Sequence, residues 1–174
     1  MATIESTDIK IYLSGGSTNT DPNDSIGGAM SSTQLVDDNL HNLFAKVSAS
    51  EASTGSTKYR GIYVKNENGH TLTLTDAIAF IESQSTSTDT SIEVAVANEA
   101  IDASMEALTN ESTAPTAISG SWVSAVGTAS GSAIGDVADG SYRGIWVKRI
   151  VNASATAFGN DTAQIGVQGE TTST

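Results

Sequence analysis

The sequence predicts an all-β protein, an antiparallel β-sandwich with at most one or two short helices. Three observations predict it. Short runs of β-branched residues and Leu alternate with small polar residues. Turn-rich stretches of Gly, Ser, Asn, Asp and Pro separate them. No long helical periodicity intervenes.

The strand runs come in order. Ile9, Ile11 and Leu13 alternate with Asp8, Lys10 and Tyr12. Leu72 and Leu74 alternate with Thr across 71–75. Ile92, Val94 and Val96 alternate with Ser91, Glu93 and Ala95, and Ile165 and Val167 alternate with Gln164, Gly166 and Gln168. Each is the period-2 pattern of a half-buried strand. Turns are expected at 14–28, 48–57, 83–91 and 127–136. Two short helices are expected. One carries Leu40, Leu43, Phe44 and Val47 at helical spacing behind Asp37 or Asp38 as cap; the other spans 96–112, with Ile101, Met105 and Leu108 on one side.

The expected organisation is a single domain over 1–174, with a long loop at 14–28 and a polar C-terminal tail at 168–174. The loop exceeds what a hairpin needs and is a candidate contact arm.

Composition narrows the function. The 174 residues carry a net charge of −12 and no Cys. Disulfides, thiolate zinc sites and thiol nucleophiles are excluded. An acidic surface repels phosphate backbones and anionic headgroups, so neither nucleic acid nor membrane is an expected partner. No segment approaches the roughly 20 apolar residues of a membrane-spanning helix. The N-terminus MATIESTDIKIYL lacks a basic stretch followed by an apolar one, which implies a protein made in the cytoplasm and not processed.

The most distinctive feature is an octamer written twice. YRGIYVKN (59–66) and YRGIWVKR (142–149) agree at six of eight positions. In a strand, Tyr59, Gly61, Tyr63 and Lys65 share one face, and Arg60, Ile62, Val64 and Asn66 the other. Tyr142, Gly144, Trp146 and Lys148 likewise oppose Arg143, Ile145, Val147 and Arg149. The Ile-Val face is a core face. The aromatic-Gly-aromatic-Lys face has a notch at Gly across which a neighbouring ring can lie. Two readings follow. In one, each octamer is a central strand in its own hairpin, at a similar place in each half of a sandwich. In the other, the aromatic stripe is exposed and packs on a second copy or another protein. The candidate interface residues are Tyr59, Arg60, Tyr63, Tyr142, Arg143, Trp146 and Lys148.

Residues for chemistry are sparse. His41 and His70 lie apart, and no Ser sits in a nucleophile-elbow pattern. No phosphate-binding Gly pattern follows a strand. His41 with Asp37 and Asp38 reads as a solvated helix end. A weak calcium candidate is the TNTDPNDS turn, with Asp21, Asn23, Asp24 and Ser25 as oxygen donors, though Asx-turn chemistry explains the same residues. The Asn-x-Ser/Thr triplets at Asn110, Asn152 and Asn160 carry little meaning here. No enzymatic activity and no cofactor are expected.

Two resemblances extend this reading. The segment 134–170, through Ile134, Asp139, Gly140, Tyr142, Ile145 and Val147, resembles the E–F corner and F–G hairpin of immunoglobulin-like and fibronectin-type sandwiches, without their core Trp and disulfide. A jelly-roll-like sandwich is the other form expected. The stretches at 9–32, 42–66, 72–74, 110–115 and 141–153, with Asn160 and Asp161, resemble small tailed-bacteriophage virion proteins. That resemblance implies a structural protein of the virion. The expected role is a capsid decoration (cement) protein contacting the major capsid protein, often as a trimer. The alternative is a tail, baseplate or fibre protein that recognises host glycans.

Overall fold

The computed structural model describes residues 2–172. It is an all-β antiparallel sandwich. The central sheet has the order β1–β3–β9–β5–β7, from Ile9–Leu13 (β1), Ser56–Asn66 (β3), Tyr142–Val151 (β9), Thr90–Ala97 (β5) and Ile118–Val123 (β7). A second sheet, β10–β4–β8, is formed by Gln164–Thr172 (β10), Thr73–Ser83 (β4) and Ser132–Val137 (β8). A small ribbon pairs Gly27–Gly28 (β2) with Met105–Ala107 (β6).

The central sheet is covered on both faces. Ile62, Val64, Val94, Val96, Ile145 and Val147 pack against Leu74, Ala77, Ala79, Ile81, Ile134 and Val137 of the second sheet. Burying each large aliphatic side chain contributes about 1.5–3 kcal/mol. The opposite face carries Tyr12, Tyr63, Ala97 and Trp146, closed by Met105, Leu108, Ile26 and Met30 from the ribbon and its flanks.

The two octamers pair with each other. Strands β3 and β9 lie side by side with Gly61 opposite Trp146, Ile62 opposite Ile145, and Tyr63 opposite Gly144. The expected arrangement of one octamer per hairpin is thereby corrected. Each copy is followed or preceded by a strand of the other sheet, because its Ile-Val face needs that sheet as a lid.

This pairing belongs to a larger repeat. Strand β5 pairs with β9 as β1 pairs with β3: Val96 meets Ile145 where Leu13 meets Ile62, and Val94 meets Val147 where Ile11 meets Val64. The second member of each set lies 83 positions after the first (142 against 59, 92 against 9). Strands β2 and β6, and β4 and β10, also hold matching places in chain order and pair with each other. Residues 31–35 run along the outer edge of β1, through Ser31 N–H to Leu13 O and Leu35 N–H to Ile11 O, as β7 runs along β5. The chain is thus two intertwined units, β1–β4 and β5–β10, about a pseudo-two-fold axis.

The symmetry breaks in kind at the helix α1, Ala49–Thr54. Strand β8 (132–137) corresponds to it by the same 83-residue offset. SAIGDV makes a strand whose Ile134 and Val137 both reach the core, because the ladder is irregular at Gly135 (φ 85°) between them, whereas ASEAST has no large apolar residue. Its Ser48–Glu51 capping box starts a helix: the Ser48 hydroxyl accepts from Glu51 N–H, and the Glu51 carboxylate from Ser48 N–H.

Both expected helices are absent. Residues 38–47 are irregular, with Asp38 and His41 in the left-handed region at φ 60° and 59°. The carbonyls of Leu43 and Ala45 accept from Arg60 and Arg149. A helix would use those carbonyls itself, so tertiary bonding overrides the local pattern. In 96–112 the chain completes β5, turns at Asp102 (φ 63°) and forms β6. Its spaced apolar residues serve different faces: Met105 and Leu108 pack under Trp146, and Ile101 against the other core. The expected polar tail is also corrected, since 168–172 continue β10, with Glu170 opposite Thr75. Residues 173–174 lie outside the described residues.

Candidate functional site

The aromatic stripe is the sequence feature with most to explain. Trp146 and Tyr63 have 0% of their surface exposed, and Arg60 has 1%. The stripe is therefore interior at Tyr63 and Trp146, as is Arg60 on the opposite face, and the reading of residues open to a partner does not hold for these three. The reason is the ribbon. A Cβ on Gly144 would stand 2.4 Å from Met105 Cγ, and one on Gly61 would stand 3.1 Å from Met105 Cε and from the Gly27 backbone nitrogen. The notch is filled by a thioether side chain and by backbone, and not by a ring. Tyr63 fastens this lid: its hydroxyl donates to Gly28 O at 2.5 Å and accepts from Met105 N–H at 2.7 Å. Burial pushes the Tyr63 hydroxyl up to about 12. Trp146 Nε1 is buried without a hydrogen-bond acceptor.

The other candidates are half-buried. Tyr142 packs edge-on to Tyr63 at 5.4 Å between centroids, and its hydroxyl donates to Asp102 O. This replaces the bond a tyrosine corner makes to its own turn. The 134–170 segment does cross between sheets at 138–141, but β9 and β10 lie in different sheets, so no F–G hairpin forms. The Arg143 guanidinium donates to Ala97 O. Lys148 pairs with Glu93 and lies 4.7 Å over the Trp122 ring, which itself stands 5.7 Å from Tyr59. Tyr59, Trp122, Lys148 and Glu93 form a partly exposed aromatic and ionic patch at one end of the central sheet.

A second cluster, which sequence reasoning missed, lies at that end on the other face. Lys58 bridges Glu51 and Glu111, each at 2.7 Å, and Arg60 pairs with Glu111. The guanidinium groups of Arg60 and Arg149 stand 5.3 and 4.9 Å from the Phe44 ring centroid. Arg149 Nη1 donates to Ala45 O, while its Nε and Nη2 make no hydrogen bond. Burial alone would raise the Glu51 carboxyl, but the bonds from Lys58 and Ser48 outweigh it and hold it at about 2. Burial opposes the shift at Glu111 too, yet Lys58 and Arg60 keep that carboxyl low. The only sequence signal was Lys58 and Arg60 sharing a face; Glu51, Glu111 and Arg149 come from three distant segments.

The 14–28 loop is anchored to β3 at Ser14 and Ser25, and much of 15–24 between them is exposed. Ser14 Oγ donates to Gly61 O, and Ser25 O accepts from Gly61 N–H. The calcium candidate is a capped 3-10 turn over Pro22–Asp24: Asp21 Oδ1 accepts from both nitrogens of Asn23, and Asn23 Oδ1 faces Arg60 Nη2. Among the described residues no group of three His, Cys, Asp or Glu side chains is placed to hold a metal ion. His41 and His70 are exposed.

Comparison with known proteins finds no matching family model, no matching curated protein and no matching solved structure.

Proposed function

We propose that this chain is a non-enzymatic structural protein of a tailed-phage virion, acting as a capsid decoration protein that stabilises the shell through protein–protein contacts. The charge distribution supports the reading. Five of the eight cationic side chains (Lys58, Arg60, Lys65, Lys148 and Arg149) are tied into internal ion pairs. Those pairs occupy only four of the 20 acidic side chains: Glu51, Glu67, Glu93 and Glu111. The cations are drawn inward and the carboxylates left to the surface. Such a body is steered onto a basic protein surface, and repelled by nucleic acid. Carboxylates and Ser/Thr loops on a rigid sandwich suit a contact that is electrostatic and made without turnover.

Co-sedimentation with purified capsids tests this. Saturable binding that weakens as salt rises is expected. Absence of binding to capsids overturns the decoration role.

The Tyr59–Trp122 patch beside Glu93 favours a second reading, a tail or fibre module that stacks a host glycan on aromatic rings. Locating the labelled protein on head or tail of intact particles separates the two.

A further inference from the structure

We propose that the outer edge of β10 is a strand-addition site, and that its occupant is the same edge of a second copy, paired antiparallel across a two-fold axis. The inference holds whether or not the chain sits on a capsid.

The broken repeat motivates it. In one unit, β8 pairs with β4 and completes the edge of the second sheet. In the other unit, the corresponding residues form α1, which binds the 154–155 segment through Ser53 O and Ala52 O and contributes no strand to the sheet. Among the described residues β10 is therefore paired on one side only, with β4. No strand takes the place that the pseudo-symmetry provides beside β10.

The chemistry of β10 suits a copy of itself. Open edges are ordinarily protected by charged side chains, Pro or β-bulges. β10 carries an exposed Glu170 and a register shift near each end, but the stretch 162–169 (TAQIGVQG) holds no charge and no Pro, in a chain of net charge −12. Between the register shifts at its two ends, 165–168 run regularly opposite 78–81. Two such acidic molecules repel over most of their surfaces, and this uncharged run is where their backbones can approach. An edge that pairs with itself closes after two copies, so the product is a dimer and not a fibre. Within each chain the equivalent strands β3 and β9, and β4 and β10, already pair in this antiparallel manner.

The test is the mass of the intact chain across a concentration series, by light scattering after gel filtration and by sedimentation equilibrium. A reversible dimer of the 17.8 kDa chain is expected. Gln164 and Gln168 are exposed, and the double variant Gln164→Glu/Gln168→Glu brings four carboxylates together along the paired edges. It is expected to raise the dimer Kd at least about tenfold with an unchanged circular dichroism spectrum. Hydrogen exchange of the unaltered protein gives a readout free of any folding effect: amides in 164–171 should gain protection as concentration rises. A monomer at all concentrations overturns the proposal. So does a dimer unaffected by the double variant, or protection gained elsewhere with β10 unchanged.

Discussion

Ile62 and Ile145 face each other across the pseudo-two-fold axis, and each is the fourth residue of its own octamer. Antiparallel pairing about that point sets the third residue of one copy against the fifth of the other. Gly61 therefore meets Trp146, and Gly144 meets Tyr63. The octamer is self-complementary in register: each copy sets its glycine opposite the large aromatic residue of the other, and the space over both glycines is taken by Met105. That explains why the chain carries it twice.

A side chain at Gly144 collides with Met105, whose Cγ and Sδ would lie 2.4 and 2.6 Å from a new Cβ. Gly144→Ala is expected to cost about 1–3 kcal/mol by overpacking. Adding Met105→Ala should make the double variant less destabilised than the sum of the singles. Urea denaturation of the four proteins in this cycle checks it.

Trp146 fills the centre of the aromatic layer but leaves its indole N–H unpaired. Trp146→Ala is expected to cost about 3–5 kcal/mol through the cavity it opens. Trp146→Phe should cost far less, because removing the orphaned donor offsets part of the lost contact area. Thermal melts of the two variants, with light scattering to confirm unchanged mass, distinguish this interior role from an interface role.

Acid should unfold the protein through Glu51. Its carboxyl is held at about 2 in the fold, below the ordinary value of 4.5. A depressed value means stability that is complete above pH 4.5 and drains away as pH falls toward 2. Glu51→Gln should be less stable at neutral pH and show a flatter decline between pH 4.5 and 2. Chemical denaturation at a series of pH values measures both.

Alkali should act through Tyr63, whose hydroxyl is pushed up from 10 to about 12. A raised value means stability fully present below pH 10 and lost as pH climbs to 12. Tyr63→Phe removes that loss. It also leaves Met105 N–H without its acceptor, at a cost of about 1–3 kcal/mol near neutrality. Melting temperatures across pH 8–12 should therefore start lower for the variant and fall less.

The sequence made the strands legible wherever period-2 patterning was clean, as at Ile9–Leu13 and Thr90–Ala97. It sorted the two faces of each octamer correctly. It did not show that both faces are covered, because the lid over Gly144 is Met105, sitting where helical spacing was the stronger local signal. Phe44 was hidden for the same reason: two arginines from strands far along the chain claim the carbonyls beside it. The Glu51–Lys58–Glu111 bridge joins residues up to 60 positions apart, which no local pattern encodes. The matching β1 and β5 runs, with Ile9 and Ile92 one repeat apart, were readable in principle, since the octamer spacing already named the offset.

Interleaving of the two units also bears on biosynthesis. The middle of the sheet cannot close until β9 has left the ribosome, because β3 has no other partner for the edge that β9 covers. Until then the nascent chain holds an apolar strand with one side unmet. Folding is bound to late, long-range closure and should be slow for a protein of this size. The surplus of carboxylates, −12 over the chain, keeps that waiting chain apart from its neighbours.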